Sequence, residues 1–458
     1  MKIVPIAAGA AVLAGAALTA TAWITGSRIE QQFHQGLSQT AGVQASVLRY
    51  DRGIFNATAQ TLWTYDDGSG PVSLRANHRI QHGPLPSGKL AEIETELEAS
   101  GEFLAVFGAA LGGRAPLEVS SMIGWDGKQQ HRFNSVAFNG QHEELAFDWA
   151  GLNGHLDISA DGTRATGTFI APRMRISDDE GGSLAAESLA ATIDARRAPG
   201  YGFWIGPGHL TVDQLSFQET ANGDAVQAHG VRLDVDTVLR QDLVDIVSRL
   251  GVRQLSAPPY GIEDFSFGLT FGNLDAGALQ AVDALGASLS SGIEFGDAES
   301  ERVLQALQEQ VPVVLRRAPF VELDEIAGRV EQGQFTARAR LGYQGDGDIE
   351  RFNPLNDLNL RIALQVPAEF ARDMLVAQVT ESVMAFAEAM GMDDPAQIQQ
   401  AIDEMVDAQI AEFIDGGLIV AQGDAWSADA RYENGGLTLN GESADELLFE
   451  LLGPMLFR

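Results

Sequence analysis

Gly83-Pro84-Leu85-Pro86-Ser87-Gly88-Lys89-Leu90 is one residue short of the phosphate-cradling pattern G-x-x-x-x-G-K-[ST]. The missing residue decides against it. Leu90 stands where a hydroxyl must reach magnesium, and two prolines remove N–H donors that a phosphate cradle needs. Asp346, Asp348 and Glu350 follow Gly345 and bracket Gly347, at the first three ligand positions of a calcium loop. Such a loop also needs glycine at position 6 and a bidentate glutamate at position 12, where this chain has Arg351 and Asp357. A solvated turn is the simpler reading.

The eight histidines (His34, His78, His82, His131, His142, His155, His209 and His229) are dispersed. Only His78 and His82 are close. In a strand their spacing puts both on one face, about 13 Å apart at ~3.3 Å per residue, too far to share a metal. No H-E-x-x-H and no G-x-S-x-G elbow is present. Asp234 and Asp236 share a face of an expected strand and could act as paired carboxylates, or could line a solvated edge. Met374, Met384 and Met390, with Leu375, Val379 and Phe386, mark an expected helix over 369–390. That helix could line an adaptable apolar groove or pack as core. No catalytic, cofactor-binding or metal-ligating residue emerges from these candidates, and no cofactor is implied.

The elements that would position these residues begin with an uncharged run, Ile3 to Thr25, between Lys2 and Arg28. It is about the ~20 residues that a helix needs to cross a bilayer, with Trp23 near its far end. An uncleaved membrane anchor over residues 1–27 is expected, on length. Cleavage after Ala20-Thr21-Ala22, a small-x-small site, is the alternative. Either way the body is translocated. A short polar helix over 28–42 would follow, with Ile29, Phe33 and Leu37 on one stripe.

From 43 to about 236 the chain reads as strands divided by turn dipeptides such as Asp161-Gly162 and Asn222-Gly223. A large antiparallel sheet or open barrel is expected there, interrupted only by a short helical segment at Glu102–Leu111. The second region, 237–458, mixes strands and helices. It opens with a helix over 237–250, then a strand at 262–271 and a helix over 275–290. Another helix over 299–316 ends at Pro312 and Arg316-Arg317. Strands at 320–331 and 335–343 form a hairpin. After a strand at 358–367 come helices over 369–390 and 394–415, then strands at 417–421, 425–432 and 436–440. Segments 262–343 and 358–440 share one order of elements at a period of about 95 residues. An internal duplication and a chance likeness of ordinary α+β segments both fit. The overall expectation is α+β, β-rich first and mixed after.

Several ordered segments carry a likeness. The apolar run ending in Thr25-Gly26, then Tyr50-Asp51-Arg52-Gly53-Ile54-Phe55, then His82-Gly83-Pro84-Leu85-Pro86, resembles the YdgA/YihF-like family of bacterial envelope proteins. The stretches 265–279 (FSFGLTFGNLDAGAL) and 435–441 (GGLTLNG) resemble that family's later segments. The resemblance implies an inner-membrane anchor and a periplasmic body. It carries no catalytic residues.

Composition narrows the function classes. The 458 residues carry 63 acidic and 30 basic side chains, a formal charge of −33. That balance opposes nucleic-acid binding, which relies on cations neutralising phosphates. It also opposes lying flat on an anionic bilayer. A salt-adapted source would share this acidity. With no cysteine, disulfides, thiol chemistry and thiolate metal sites are excluded. The expected function is a non-enzymatic binding or structural protein of the envelope, with the inner membrane as partner through residues 3–25. The alternative is a holder of lipid or another apolar ligand beside that membrane, with local basic spots such as Arg316-Arg317 for headgroups. The partner's identity and any self-association stay open.

Overall fold

The structure is a computed structural model that describes residues 44–66, 71–83, 88–98, 108–142, 144–220, 223–258, 260–289, 305, 308–390 and 394–445. The expected anchor over 1–27, the helix over 28–42, His34 and Pro84–Ser87 lie outside the described residues. Among those residues no helix is long and apolar enough to cross a membrane. The described chain is chiefly antiparallel β-sheet with few helices. It divides into two compact units, one of residues 1–225 and 276–307, the other of 226–275 and 308–458.

The first unit contains β1 (Gln44–Arg52), β2 (Asn56–Asp66), β3 (Pro71–His82), β4 (Ala91–Glu98), β5 (Glu118–Ile123) and β6 (Gln129–Ser135). It continues with β7 (Phe138–His142), β8 (Leu145–Trp149), β9 (Leu152–Ile158), β10 (Arg164–Asp178), β11 (Ser183–Arg197) and β12 (Trp204–Gln218). Consecutive strands pair antiparallel from β1 to β6, and β6 then pairs with β9. β8 and β9 share one flank of β10, while β11 takes the other flank and β12 follows it. The strands alternate as the sequence does. On β3, Ala76, His78, Ile80 and His82 are buried while Arg75, Arg79 and Gln81 are exposed. Ala57, Ala59, Ile80 and Ala91 make a small core there, flanked by Tyr50, Ile93 and Ile123. Helix α1 (Ala276–Leu289) matches the expected 275–290 helix.

The second unit contains β13 (Ala225–Arg240), β14 (Leu243–Ala257), β15 (Tyr260–Asp275), β16 (Phe320–Val330), β17 (Gly333–Tyr343) and β18 (Leu358–Pro367). After α2 (Ala368–Met390) and α3 (Pro395–Asp415) come β19 (Val420–Gln422), β20 (Ala425–Glu433), β21 (Gly436–Leu439) and β22 (Glu442–Ser443). β13 to β18 pair in chain order, and β20 joins the far side of β18. β19 and β21 both lie on the outer flank of β20. In both 262–343 and 358–440, a strand is followed by a helical excursion and then by its own antiparallel neighbour and a hairpin partner.

Two expected elements are corrected. The segment 237–250 is not a helix. β13 runs to Arg240, Gln241 and Asp242 make the turn, with Gln241 at φ 61°, and Arg240 pairs with Leu243. Its apolar residues at 239, 243, 247 and 250 mimic a helical stripe, but β-branched Val244, Ile246 and Val247 suit a strand held between β13 and β15. The helix expected over 299–316 is described at 305 and 308–315, and Pro312 lies inside it rather than ending it. A proline costs a helix one N–H bond but does not prevent the final turn from closing, and Arg316 N–H donates to the Pro312 carbonyl at 3.2 Å.

Helices α2 and α3 pack on each other through Val379, Val383, Ile402 and Val406. Asp394 caps α3 by accepting the Ala396 N–H, and Pro395 fills the first turn. Of the methionine-bearing stripe, Leu375 and Val379 join this core. Met374 and Met384 point outward and are about half exposed. The side chains of Phe386 and Met390 lie outside the described residues.

A candidate apolar binding site

Register places one set of side chains on a common face of the second unit. Phe271 on β15 stands opposite Val321 on β16, which opposes Leu341 on β17, which opposes Leu360 on β18 and then Tyr432 on β20. One step along, Leu269, Leu323, Ala339, Ile362 and Ala430 form a second row. A third row adds Phe267, Ile326, Ala337, Leu364 and Ala428. Alternation sends the intervening residues to the opposite face, where Glu322, Arg340, Arg361 and Arg431 lie in register. That face is ion-paired: Arg340 to Glu322 at 2.8 Å, Arg361 to Glu433, and Arg431 to Asp429 at 2.9 Å.

One end of the apolar face is covered by the start of α2. Phe370 stacks on Phe335 at 5.9 Å and meets Tyr260 edge-on at 6.0 Å. Gly328 makes this packing fit, because a Cβ there would lie 2.7 Å from Phe335 Cζ and 2.8 Å from Ile262 Cγ2. Beyond that end the face is open. Ile362, Leu364 and Leu341 are 40, 39 and 44% exposed, high values for aliphatic side chains on a five-strand apolar surface.

The other end is a recess of about 400 Å³. Phe271, Val321 and Leu341 form its floor, Val311 and Leu315 of the 308–315 helix one wall, and Ile349 and Phe352 another. The helix is pinned by Arg317, whose Nε donates to Asp275 at 2.9 Å and whose guanidinium also reaches Asp242. Phe352 stacks on Tyr343 at 6.4 Å. The Tyr343 phenol, the single titratable group of the lining, accepts the Gly347 N–H at 2.9 Å. A wall of hydrocarbon with one engaged hydroxyl offers burial and shape, not acid–base chemistry.

The residues singled out from the sequence lie elsewhere or serve the fold. Asp346 and Asp348 accept backbone N–H groups of their own loop at 2.9 and 3.1 Å and pair with Arg351. The Arg351 hydrogen bond holds the Asp348 carboxyl below the usual carboxylate range. Asp234 takes a 2.7 Å bond from Arg232 two residues away, and Asp236 stands opposite Val247 of β14. Lys89 is followed by strand β4, which leaves no helix N-terminus for a phosphate.

His78 and His82 are both buried on the inner face of β3. His78 bridges two threonines, with Nε2 at 2.8 Å from Thr61 Oγ1 and Nδ1 at 2.8 Å from Thr95 Oγ1. Trp63 donates to the same Thr61 oxygen at 2.7 Å. Burial lowers the His78 pKa to about 4, so the ring is neutral at physiological pH. Burial also lowers His131, against a smaller opposing effect of Asp157. Among the described residues no three His, Asp or Glu side chains converge as a metal cluster.

A second concavity lies in the first unit. Lys89, Lys128 and Arg164 line it beside Asp126 and Asp157. Its cations are matched locally, Lys128 by Asp126 at 3.4 Å and Arg164 by Asp194 at 2.9 Å.

The sequence marks β15 to β18 as strands but does not show their common face. The signal was there in alternation: Phe265, Phe267, Leu269 and Phe271, then Phe335, Ala337, Ala339 and Leu341, then Leu360, Ile362 and Leu364. Only register shows that these alternations coincide.

Comparison with known proteins agrees with the likeness seen in the sequence. The chain belongs to the DUF945 family, bacterial proteins of unknown function, whose pattern matches residues 1–446. It is 21% identical over 488 aligned positions to Protein YdgA of Escherichia coli (strain K12), covering 95% of this chain and 94% of that protein.

Proposed function

We propose that this member of the family is a non-enzymatic binding protein of the bacterial envelope that receives a long acyl chain on the apolar face of its second unit. The observation that carries the reading is the recess of about 400 Å³ continuous with an uncovered apolar sheet face. Its size lies toward the small end of ligand pockets, which run from about 300 to 1,000 Å³. Each methylene buried contributes about 0.8 kcal/mol. Association costs about 4–15 kcal/mol in lost freedom, so only a chain of roughly ten or more carbons binds with useful affinity. The uncharged run Ile3–Thr25 supports placement at the inner membrane, with the body on the periplasmic side. A tether of that kind would keep the face beside a source of acyl chains. Release of the full chain from membranes by alkaline carbonate would remove the anchored part of this reading.

The binding part is tested by photolabelling the full-length protein in membranes with a diazirine-bearing fatty acid and mapping the labelled peptides. Label should concentrate on β15, β16, β17 and the 308–315 helix, and Leu341→Asp should reduce it severalfold. Leu341 is 44% exposed, and circular dichroism should show that the fold is retained in the variant. Label spread evenly over the chain, or unchanged by Leu341→Asp, would refute the acyl-chain site.

A further inference from the structure

We infer that the recess selects a single-chain amphiphile with a carboxylate head, a long-chain fatty acid, and that Arg316 is the group that holds the head. The inference rests on the acyl-chain reading above and adds the charge and class of the ligand. Arg316 directly follows Leu315, which lines the recess, and is itself exposed. Its stem lies over the loop that makes the opposite wall. Gly347 stands at φ 82°, and a Cβ built there would meet Arg316 Cγ at 2.5 Å. Gly347 also donates to the Tyr343 phenol, and Ile349 of the lining lies two residues further on. The Arg316 stem therefore lies against the loop that supplies Ile349, next to the hydrocarbon lining of the recess.

The other cations around the recess are occupied. Arg317 is held by Asp275 and Asp242, and Arg351 by Asp348 and Asp346. Arg340, on the opposite face of β17, is matched as well: it pairs with Glu322 and lies 3.8 Å from the centroid of the Phe320 ring. Among the described residues Arg316 has no carboxylate within ion-pairing distance. In a chain with 63 acids against 30 bases, a guanidinium left unmatched beside an apolar recess is a place for an anion brought by the ligand. The same excess of acid repels an anionic bilayer surface, which favours one amphiphile entering the recess over docking of a membrane. A planar carboxylate suits the guanidinium fork, and the modest volume suits one chain.

The test uses the full chain in nanodiscs of zwitterionic phosphatidylcholine, with protein-free nanodiscs subtracted. The probes are a dansyl-labelled undecanoic acid and its methyl ester, followed by energy transfer from tryptophan. The acid should bind about tenfold more tightly than the ester, a ratio set by one charge-assisted contact at an exposed rim. Arg316→Ala should bring the ratio near one while leaving ester binding unchanged, and Arg316→Lys should keep part of it. Arg338→Ala, on the opposite face of β17, should change nothing. If acid and ester bind equally to the unaltered protein, or the preference survives Arg316→Ala, the carboxylate inference is wrong and the acyl-chain site stands. If neither probe binds, both readings fall.

Discussion

Acid should weaken the first unit through the buried histidine His78. His78 is 5% exposed, and its hydrogen-bond partners Thr61 and Thr95, with Trp63 behind them, are uncharged. Nothing in that set stabilises an imidazolium, so burial lowers the ring from 6.5 to about 4. Above pH 6.5 the ring is neutral in both folded and unfolded chains, and the contribution to stability does not change with pH. Between 6.5 and about 4 the unfolded chain takes up a proton that the folded chain refuses. Stability therefore falls as pH falls through this window, and the loss levels off below it. The interval corresponds to about 3 kcal/mol at ~1.4 kcal/mol per pH unit. Urea unfolding of the full-length protein and of His78→Gln, followed by tryptophan emission from pH 7.5 to 4, isolates this contribution as the difference between two curves. His131, also lowered by burial, titrates in both proteins and cancels. The wild type should lose about 3 kcal/mol more than the variant across the window. Parallel curves would show that His78 is protonated in the folded state or reached by water, and the reasoning from desolvation would fail.

Gly328→Ala should destabilise the second unit by about 1–3 kcal/mol, because the new methyl overlaps Phe335 and Ile262 and pushes Phe335 off Phe370. A midpoint in thermal or urea unfolding equal to wild type would mean that the aromatic cluster shifts without cost. Ile402→Ala, at a 3% exposed position between α2 and α3, should cost about 2–5 kcal/mol by leaving a cavity. Hydrogen exchange should show the loss in these two helices, and exchange unchanged there would place their stability outside this contact.

The β-rich character, the position of most strands in both units, and the α2–α3 pair were legible in the sequence. Each of these is a local pattern: period-two alternation with turn dipeptides, or an apolar stripe bounded by Asp394-Pro395. The family was equally legible, because its segments keep their order along the chain. Local pattern failed at 237–250, where residues spaced three and four apart satisfy a helix as well as a strand. There the choice fell to β13 and β15, which flank the segment and bond its backbone on both sides. The candidate site was beyond local pattern altogether. Phe271, Val321 and Leu341 lie in separate strands, Val311 comes from the 308–315 helix, and Ile349 and Phe352 come from the connection between β17 and β18. An alternating strand shows that it has an apolar face, but only pairing register decides that five such faces coincide. Only packing decides that α2 covers one end through Phe370 and leaves the other open.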